Sequence, residues 1–554
     1  MAHRTLFALT IVTAAVVVAL AGTVAAQPLP LDQRLLVDKV FAAFDRNDSP
    51  GCAVAIYRNG EIAYARGYGV ASLEHRVPIT SATVFDIGST SKQFTAFSIL
   101  LLERDGKLSL DDDVRKYVPE LQRLEPMVTV RHLMLHTSGL RDYLTLWRLA
   151  GMKTENWTTQ ADAVRLVARQ RRANFPAGAE WLYSNTGYLL LGEIVQRVSG
   201  QSLREFAAAR IFKPLGMANT FFLDSHTEVI SGRATGYAPR DGGGFNVDMS
   251  NFEQTGDGAV QSTVEDLLRW DSNFYDPKVG DRALLERAQT VGALATGKKL
   301  DYAAGLMIGT YRGLPTVRHG GSWAGYRADL LRFPTARTSI ACLCNVGSSM
   351  PSVFADRVAE IVLASQLAPK AGPAAAASGA AVAVAPARLE SLAGYYEHAV
   401  TGAFRRLTVK DGVLLAFGQR FKAISADRFL GQAAGLELYF PPVGAGGLPE
   451  MHIIRDGRDA EVCLRVVPPT GTDFAEFAGM YYSDELEATW TLAARDGRLT
   501  VQVLHDPPMD LVIVKPGVFV TEQGVVVRFE REGGRVARAS VQAGRVTNLV
   551  FTRR

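Results

Sequence analysis

Three short groups of residues, in fixed order, carry the side chains that acyl transfer through a serine requires. The first is Ser89-Thr90-Ser91-Lys92, directly after Gly88. A serine and a lysine three apart share one helix face, so Lys92 lies one turn behind the Ser89 hydroxyl, within reach of its proton. In a helix's first turn that hydroxyl also meets unpaired backbone N–H groups and the positive end of the dipole, which favour negative charge on its oxygen. The second group is Tyr183-Ser184-Asn185. In an extended segment residues i and i+2 point the same way, so the Tyr183 hydroxyl and the Asn185 amide can face one site. There the tyrosine can accept a proton beside the Lys92 cation, and the asparagine can bind a substrate amide. The third group is His319-Gly320-Gly321-Ser322. Paired glycines let backbone approach a ligand closely. The Ser322 N–H can therefore join that of Ser89 in an oxyanion hole, a device that often supplies several kcal/mol of transition-state stabilisation.

Each group alone has an ordinary structural reading: an N-cap serine beside a solvated lysine, a buried tyrosine with a turn asparagine, a glycine bend beside a surface histidine. Their joint presence and order carry the inference. The elements that must position them are legible too. Phe94, Phe97 and Leu101 recur at helical spacing and predict a helix behind Ser89 that runs to Arg104. Tyr183 to Asn185 precede a helical run over residues 189–198. The third group lies between strand-like residues 316–318 and a second strand over 326–333.

Ser-x-x-Lys, Tyr-x-Asn and His-Gly-Gly in this order resemble the serine β-lactamase and penicillin-binding protein superfamily, in its class C, DD-peptidase and esterase branch. Leu135-His136-Thr137-Ser138-Gly139-Leu140, Pro176-Ala177-Gly178 and Leu190-Leu191-Gly192-Glu193-Ile194 extend the likeness, which covers residues 35–367. The resemblance implies Ser89 as nucleophile and Lys92 with Tyr183 as the proton-transfer pair. Which of the two is the general base stays open. Asn185, His319, Gly320, Gly321 and Ser322 are implied as substrate-binding residues. The implied fold is an α/β (α+β) catalytic domain, β-lactamase/transpeptidase-like. Its five-stranded antiparallel sheet is flanked by helices, with strands near 53–58 and 62–68 first and residues 316–346 returning to it. A helical subdomain lies roughly between 102 and 306, and Ser89 sits at the junction. One departure bears on substrate. Relatives acting on β-lactams or peptide C-termini usually carry Lys-Thr-Gly where this chain has His319-Gly320-Gly321. Losing that cation and hydroxyl should weaken carboxylate recognition by about 2–4 kcal/mol. Efficient β-lactamase or DD-carboxypeptidase action is therefore disfavoured, and esters, amides or peptides read from the amino end are favoured.

Four cysteines, Cys52, Cys342, Cys344 and Cys463, are too few for a disulfide scaffold in 554 residues. The family's sheet order brings Cys52 beside the strand that holds Cys342 and Cys344, where a bridge to either is open, but buried thiols are the expectation. His132 and His136 lack the glutamate of a zinc-protease helix and no Cys-x-x-Cys occurs, so neither metal nor cofactor is expected.

The chain opens with His3 and Arg4, an apolar stretch over 6–20 and a small-residue end at Val24-Ala25-Ala26. That order predicts a signal peptide over 1–26, cleaved before Gln27, and an exported protein, periplasmic or secreted. An uncleaved anchor is the alternative. A catalytic domain over 27–367 is then followed by an Ala/Pro-rich linker, 368–387. Beyond it the chain repeats itself at a shift of 85 residues. Leu392-Ala393-Gly394-Tyr395-Tyr396 aligns with Phe477-Ala478-Gly479-Met480-Tyr481, and Lys410-Asp411-Gly412 with Arg495-Asp496-Gly497. Short apolar runs between Asp-Gly and Gly-Gly turns predict two small antiparallel β-barrels, 388–471 and 472–554.

A β-lactamase-like domain followed by two barrels resembles the D-aminopeptidase branch. Ser138-Gly139-Leu140-Arg141-Asp142-Tyr143 and Tyr482-Ser483-Asp484-Glu485-Leu486 are among the shared-looking strings. In that branch a loop of the last barrel reaches the active site and helps bind the substrate's amino group. The hairpin expected to correspond here, 518–521 with 525–529, turns through Glu522-Gln523-Gly524 alone. Residues reaching about 3.5 Å each cannot carry it far. Either another loop supplies the acidic partner or the substrate has no amine. The expected function is an exported serine hydrolase acting through a Ser89 acyl-enzyme, most of all a D-aminopeptidase-like peptidase. A carboxylesterase on the same site and a non-catalytic sensor or scaffold are the rivals. Net charge is only +4 with no long basic run, which argues against nucleic acid as a partner. A small-molecule or peptide substrate is expected, with no stable membrane insertion after signal cleavage and the oligomeric state open.

Overall fold

The computed structural model describes residues 28–369, 382–431, 435–443, 448–455 and 458–554. The predicted signal peptide and most of the predicted linker lie outside them. Among the described residues no helix is long and apolar enough to cross a membrane.

The catalytic sheet has six strands, one more than the resemblance implied. Its order is Met307–Tyr311, Leu314–Trp323, Tyr326–Phe333, Thr338–Cys344, Cys52–Arg58 and Glu61–Tyr68, every neighbour antiparallel. The extra strand, Met307–Tyr311, is the short edge partner of the strand that carries His319. Both sheet faces are covered, so the strand Cys52–Arg58 reads as a continuous apolar run whose alternate residues serve different layers. Val54 and Ile56 pack with Val37 and Phe41 of the helix Leu31–Phe41 and with Val358 and Val362 of the helix Pro351–Val362. Ala53, Ala55 and Tyr57 face the helical side, with Phe94 and Leu267.

Central to that side is the helix Lys92–Arg104, buried at every position from Lys92 to Leu102. Buried all round, it is a core helix. Trp270 packs on Phe94 and Phe97 at 4.8 and 5.2 Å between ring centroids. The Trp270 indole N–H donates to Gln93 Oε1 at 2.5 Å.

The expectation of four buried thiols is corrected. Register sets Cys52 directly opposite Cys344 on adjacent strands, with Cα atoms 4.0 Å apart, and the two form a disulfide. Cys342 and Cys463 remain free and buried. Composition could not reveal this, because the bridge depends on which strands are neighbours.

Two closed eight-stranded barrels follow, from Gly394–His398 to Arg458–Val466 and from Gly479–Ser483 to Val546–Arg553. The duplication recurs in detail. Tyr396 donates to the Leu392 carbonyl and Tyr481 to the Phe477 carbonyl, each at 2.9 Å. Asp411-Gly412 and Asp496-Gly497 both hold positive φ, near 53 and 70° in the first and 51 and 69° in the second. Two consecutive positive φ values are what tight hairpin turns of this twist demand.

Candidate active site

Ser89 sits on a single 3-10 turn, Gly88–Ser91, which leads into the helix Lys92–Arg104. The turn is pinned from several sides. The Gly88 N–H donates to buried Asp86 Oδ1 at 2.7 Å, and Gln261 Nε2 holds the other Asp86 oxygen at 2.9 Å. Ser91 Oγ donates to the Gly88 carbonyl and accepts from the Val260 N–H. Gly88 has φ +50°, and a Cβ there would stand 2.6 Å from the Ser322 nitrogen.

Lys92 Nζ donates to Ser89 Oγ at 3.1 Å, to Asn185 Oδ1 at 3.0 Å and to the Asp257 carbonyl at 2.5 Å. Three acceptors match the three donors of an ammonium. The same nitrogen lies 4.9 Å from the centre of the Tyr183 ring. Among the described residues the buried Tyr183 hydroxyl has no hydrogen-bond partner, which leaves its oxygen uncommitted beside that cation. The extended backbone expected across this motif is present at Ser184, with φ −138° and ψ 126°. The helix behind it begins at Asn185, four residues earlier than its apolar periodicity predicts. The Asn185 N–H is held by Asp142 Oδ2 at 2.8 Å, an anchor from a remote segment that periodicity does not reveal.

The third group lies inside the strand Leu314–Trp323, which extends five residues past the predicted segment. Gly321 is required by space, since a Cβ would stand 1.9 Å from the Ile87 carbonyl oxygen. At Gly320 the nearest atoms would be at an ordinary 3.5 Å. Strand and Ser89 turn are thus in van der Waals contact, which sets Ser322 beside Ser89 on the lining of one cleft. His319 is buried rather than on the surface. Its Nδ1 bonds the Gly320 carbonyl at 2.7 Å and its Nε2 meets the Tyr302 hydroxyl at 3.1 Å. Burial, then the Lys92 charge, pushes its pKa down to about 4. The ring is therefore neutral at pH 7 and offers no substitute for the missing cation.

The cleft is lined by Ser89, Tyr143, Asn185, Asp257, Ser322 and Trp323 among others. Five of the eight predicted site residues converge here through direct contacts or shared lining: Ser89, Lys92, Tyr183, Asn185 and Ser322. His319, Gly320 and Gly321 shape the wall behind. The arrangement can deliver a serine oxygen, a cation, an uncommitted phenol and two backbone donors to one substrate carbonyl.

Sequence reading missed a second layer. His136 packs on Tyr183 with ring centroids 4.2 Å apart and planes tilted by 35°, and its pKa is held well below the ordinary value by burial and then by Lys92. Arg545, from the turn before the last strand of the second barrel, places its guanidinium 4.7 Å from the centre of the same Tyr183 ring. Asp142 accepts from Arg545 at 3.5 Å as well as from Asn185. The barrel turn that reaches the site is thus Ala543-Gly544-Arg545-Val546. The hairpin that corresponds by resemblance, expected to be too short to reach the site, leans elsewhere, with Glu522 paired to Arg406 of the first barrel. The two strings that resembled the D-aminopeptidase branch meet in space, because Arg141 pairs with Glu485. The Ser-Gly-Leu-Arg-Asp-Tyr string was the available signal for Asp142 and Tyr143. Nothing in the sequence marked Arg545.

Residues 37–365 match the Beta-lactamase family. The chain belongs to that family. It is similar to D-aminopeptidases from Cereibacter sphaeroides strain KD131, 28% identical over 90% of this chain and 93% of the relative, and from Gluconobacter oxydans, 27% identical over 92% and 96%. Penicillin-binding protein 4* of Bacillus subtilis is 32% identical over 52% of this chain and 66% of its own length. Among solved structures, an octameric penicillin-binding protein homologue from Pyrococcus abyssi superposes with a TM-score of 0.55 at 23% identity, covering 86% of this chain and 98% of that one. D-amino acid amidase from Ochrobactrum anthropi SV3 gives 0.50 at 24%, over 60% and 99%. These structural likenesses bear on the fold. Family and relatives together make the chain a serine hydrolase of the β-lactamase and penicillin-binding superfamily.

Proposed function

We propose that this hydrolase is an exported D-aminopeptidase-like peptidase working through a Ser89 acyl-enzyme. The observation that carries the reading is the extent of the likeness to D-aminopeptidases, which covers 90% and 92% of this chain and 93% and 96% of the two relatives rather than stopping at the family region, 37–365. Ser89 Oγ attacks the substrate carbonyl carbon, and its proton passes to the Lys92 and Tyr183 pair. With all three Lys92 donors engaged, the unpartnered Tyr183 oxygen is the better acceptor, acting as a phenolate that takes the Ser89 proton and returns it to the leaving amine. The carbonyl oxygen becomes an oxyanion facing the Ser89 and Ser322 N–H groups. Collapse breaks the C–N bond, the amine leaves with the transferred proton, and water repeats the sequence to release the acid and restore Ser89. Asn185, whose amide oxygen Lys92 occupies, offers its NH2 to the substrate. Export rests on the predicted signal peptide, and the Cys52–Cys344 disulfide suits an oxidising compartment.

A carboxylesterase on the same site is the second reading, favoured by the absence of a cation at His319-Gly320-Gly321. The deciding experiment is hydrolysis of D-alanine p-nitroanilide beside p-nitrophenyl acetate, with Ser89→Ala as blank. Serine-dependent anilide cleavage is the expected outcome. Ester turnover without anilide cleavage would move the assignment to an esterase, and full activity in Ser89→Ala would remove the acyl-enzyme altogether.

A further inference from the structure

Asp257 is a carboxylate in an unusual position. It lies in Thr255-Gly256-Asp257-Gly258, a segment pressed against the helix Asn185–Ser199 so closely that a Cβ on Gly256 would stand 2.3 Å from the Tyr188 carbonyl oxygen. Thr95 Oγ1 fixes the Gly256 carbonyl at 2.7 Å. Through its own carbonyl, Asp257 is two hydrogen bonds from Ser89 Oγ, by way of Lys92 Nζ. Its side chain is only 8% exposed, yet it lines the cleft together with Ser89. The carboxylate's hydrogen-bond partner is the Tyr143 hydroxyl, at 3.1 and 3.2 Å. Among the described residues no lysine, arginine or histidine pairs with it within salt-bridge distance. Arg233, the guanidinium on the same lining, faces Asp86 and Tyr326 instead.

A buried carboxylate without a paired cation is costly, and proteins retain such groups where something fills the gap. An aminopeptidase substrate carries its ammonium one carbon from the carbonyl that Ser89 attacks, so its charge must come to rest within a few ångströms of that oxygen. We infer that Asp257, held by Tyr143, receives the α-ammonium of the substrate and selects free amines over acylated ones. The inference rests on the aminopeptidase reading and supplies the acidic partner that the short turn at Glu522-Gln523-Gly524 cannot provide. Its electrostatics agree. Burial raises the Asp257 pKa to about 6, against the opposing pull of Lys92 and the Tyr143 hydroxyl and with a smaller push from Asp142. An incoming ammonium would relieve that penalty.

The test compares D-alanine p-nitroanilide with its N-acetyl derivative, by kcat/KM. The wild-type protein should prefer the free amine by roughly 10- to 100-fold, the range of one charge-assisted hydrogen bond, and Asp257→Asn should bring the ratio near one by raising KM. Because the N-acetyl substrate shares the proton-transfer machinery, the ratio also isolates Asp257 in the wild-type protein. It should fall as pH drops through about 6, where the carboxylate gains its proton. Equal wild-type turnover of the two anilides, or a ratio unchanged in Asp257→Asn, overturns the role of Asp257 while leaving the peptidase in place. Failure of the wild-type protein to cleave either anilide while it turns over p-nitrophenyl acetate overturns the peptidase reading, and the amine site with it. Should Asp257→Asn fold poorly, the wild-type ratio and its pH dependence decide.

Discussion

The two barrels share strand order, Asp-Gly turns and a tyrosine-to-carbonyl bond, but they meet the rest of the molecule differently. The first keeps a core of its own, built on Leu407, Leu414, Phe421 and Leu438. It leans on its twin through Phe404 and Val466 against Val514, Val520 and Val526, with Lys515 paired to Glu397. The second continues the core of the catalytic domain. Phe477, Trp490 and Phe551 belong to the same cluster as Phe94 and Leu133, and the Trp490 indole donates to the Leu149 carbonyl at 2.8 Å. A duplicated scaffold has thus kept its strands and diverged in its turns, because ladder hydrogen bonds constrain strands while turn side chains are free to acquire partners.

The largest difference between the barrels should appear at the arginines that hold them, Arg141 of the catalytic domain against the second and Arg405 within the first. Arg141 has no exposed side-chain surface. It donates to Gln170 Oε1 at 3.0 Å and to the Thr547 and Asn548 carbonyls of the second barrel at 3.0 and 2.7 Å, besides pairing with Glu485. Arg141→Ala strands these acceptors and should cost about 3–5 kcal/mol. Arg405→Ala, which removes a pair with Glu461 inside the first barrel whose side chains are 28% and 21% exposed, should cost about 1 kcal/mol. Urea denaturation of both variants checks this, and equal losses would erase the distinction between a docked and an appended barrel.

A second difference is the response to acid of the centre that the second barrel covers. Folded His319 titrates near 4, unfolded histidine near 6.5. Between those values the unfolded state takes up a proton that the folded state refuses, so stability falls as pH drops from about 6.5 to about 4 and is unaffected above. The loss is roughly 3 kcal/mol. Asp257 and Asp329, both raised to about 6 by burial, act in the opposite sense as they protonate below that pH. The clean quantity is therefore the stability of the wild-type protein minus that of His319→Gln, measured from pH 8 to 4. It should decline through that window, and a flat difference would mean that His319 takes up its proton at the same pH in the folded and unfolded protein.

How much of this was legible in sequence follows the same division between strands and turns. The Ser89 helix, the Tyr-x-Asn segment, the glycines of the third group and both barrels declared themselves through periodicity, spacing and repetition. These are local properties, or properties that one family order fixes. Three features did not. The Cys52–Cys344 bridge depends on strand adjacency. Asn185 starts its helix on a carboxylate 43 residues away. Arg545 is one exposed-looking residue in a Gly-Arg turn, and only docking of the barrel brings it over Tyr183. Asp257 was hidden for another reason. An aspartate between glycines resembles a loop in any sequence, and its meaning comes from the charges that surround it.

Arg545 then sharpens the comparison on activity rather than stability. Its side chain is 40% exposed and its link to Asp142 is long, at 3.5 Å. Arg545→Ala should leave the melting temperature nearly unchanged while lowering kcat/KM about tenfold, the scale of one cation–π contact at a partly desolvated ring. Lys515→Ala, at the contact between barrels, should leave kcat/KM within about twofold. Equal activity in the two variants would reduce the second barrel to a structural support.

The smallest effect expected is also the most direct check on which hairpin matters. Glu522 lies in the turn that resemblance pointed to, and its pair with Arg406 of the first barrel is 3.4 Å long with side chains 89% and 44% exposed. A pair so open to solvent gains little from Coulomb attraction and must order two long side chains to gain it. Glu522→Ala should therefore change stability by no more than about 0.5 kcal/mol and leave anilide and ester turnover alike untouched. A loss of activity comparable with that of Arg545→Ala would mean that the turn at 522–524 moves to the cleft when substrate is bound. The amine clamp would then belong to the barrel and not to Asp257.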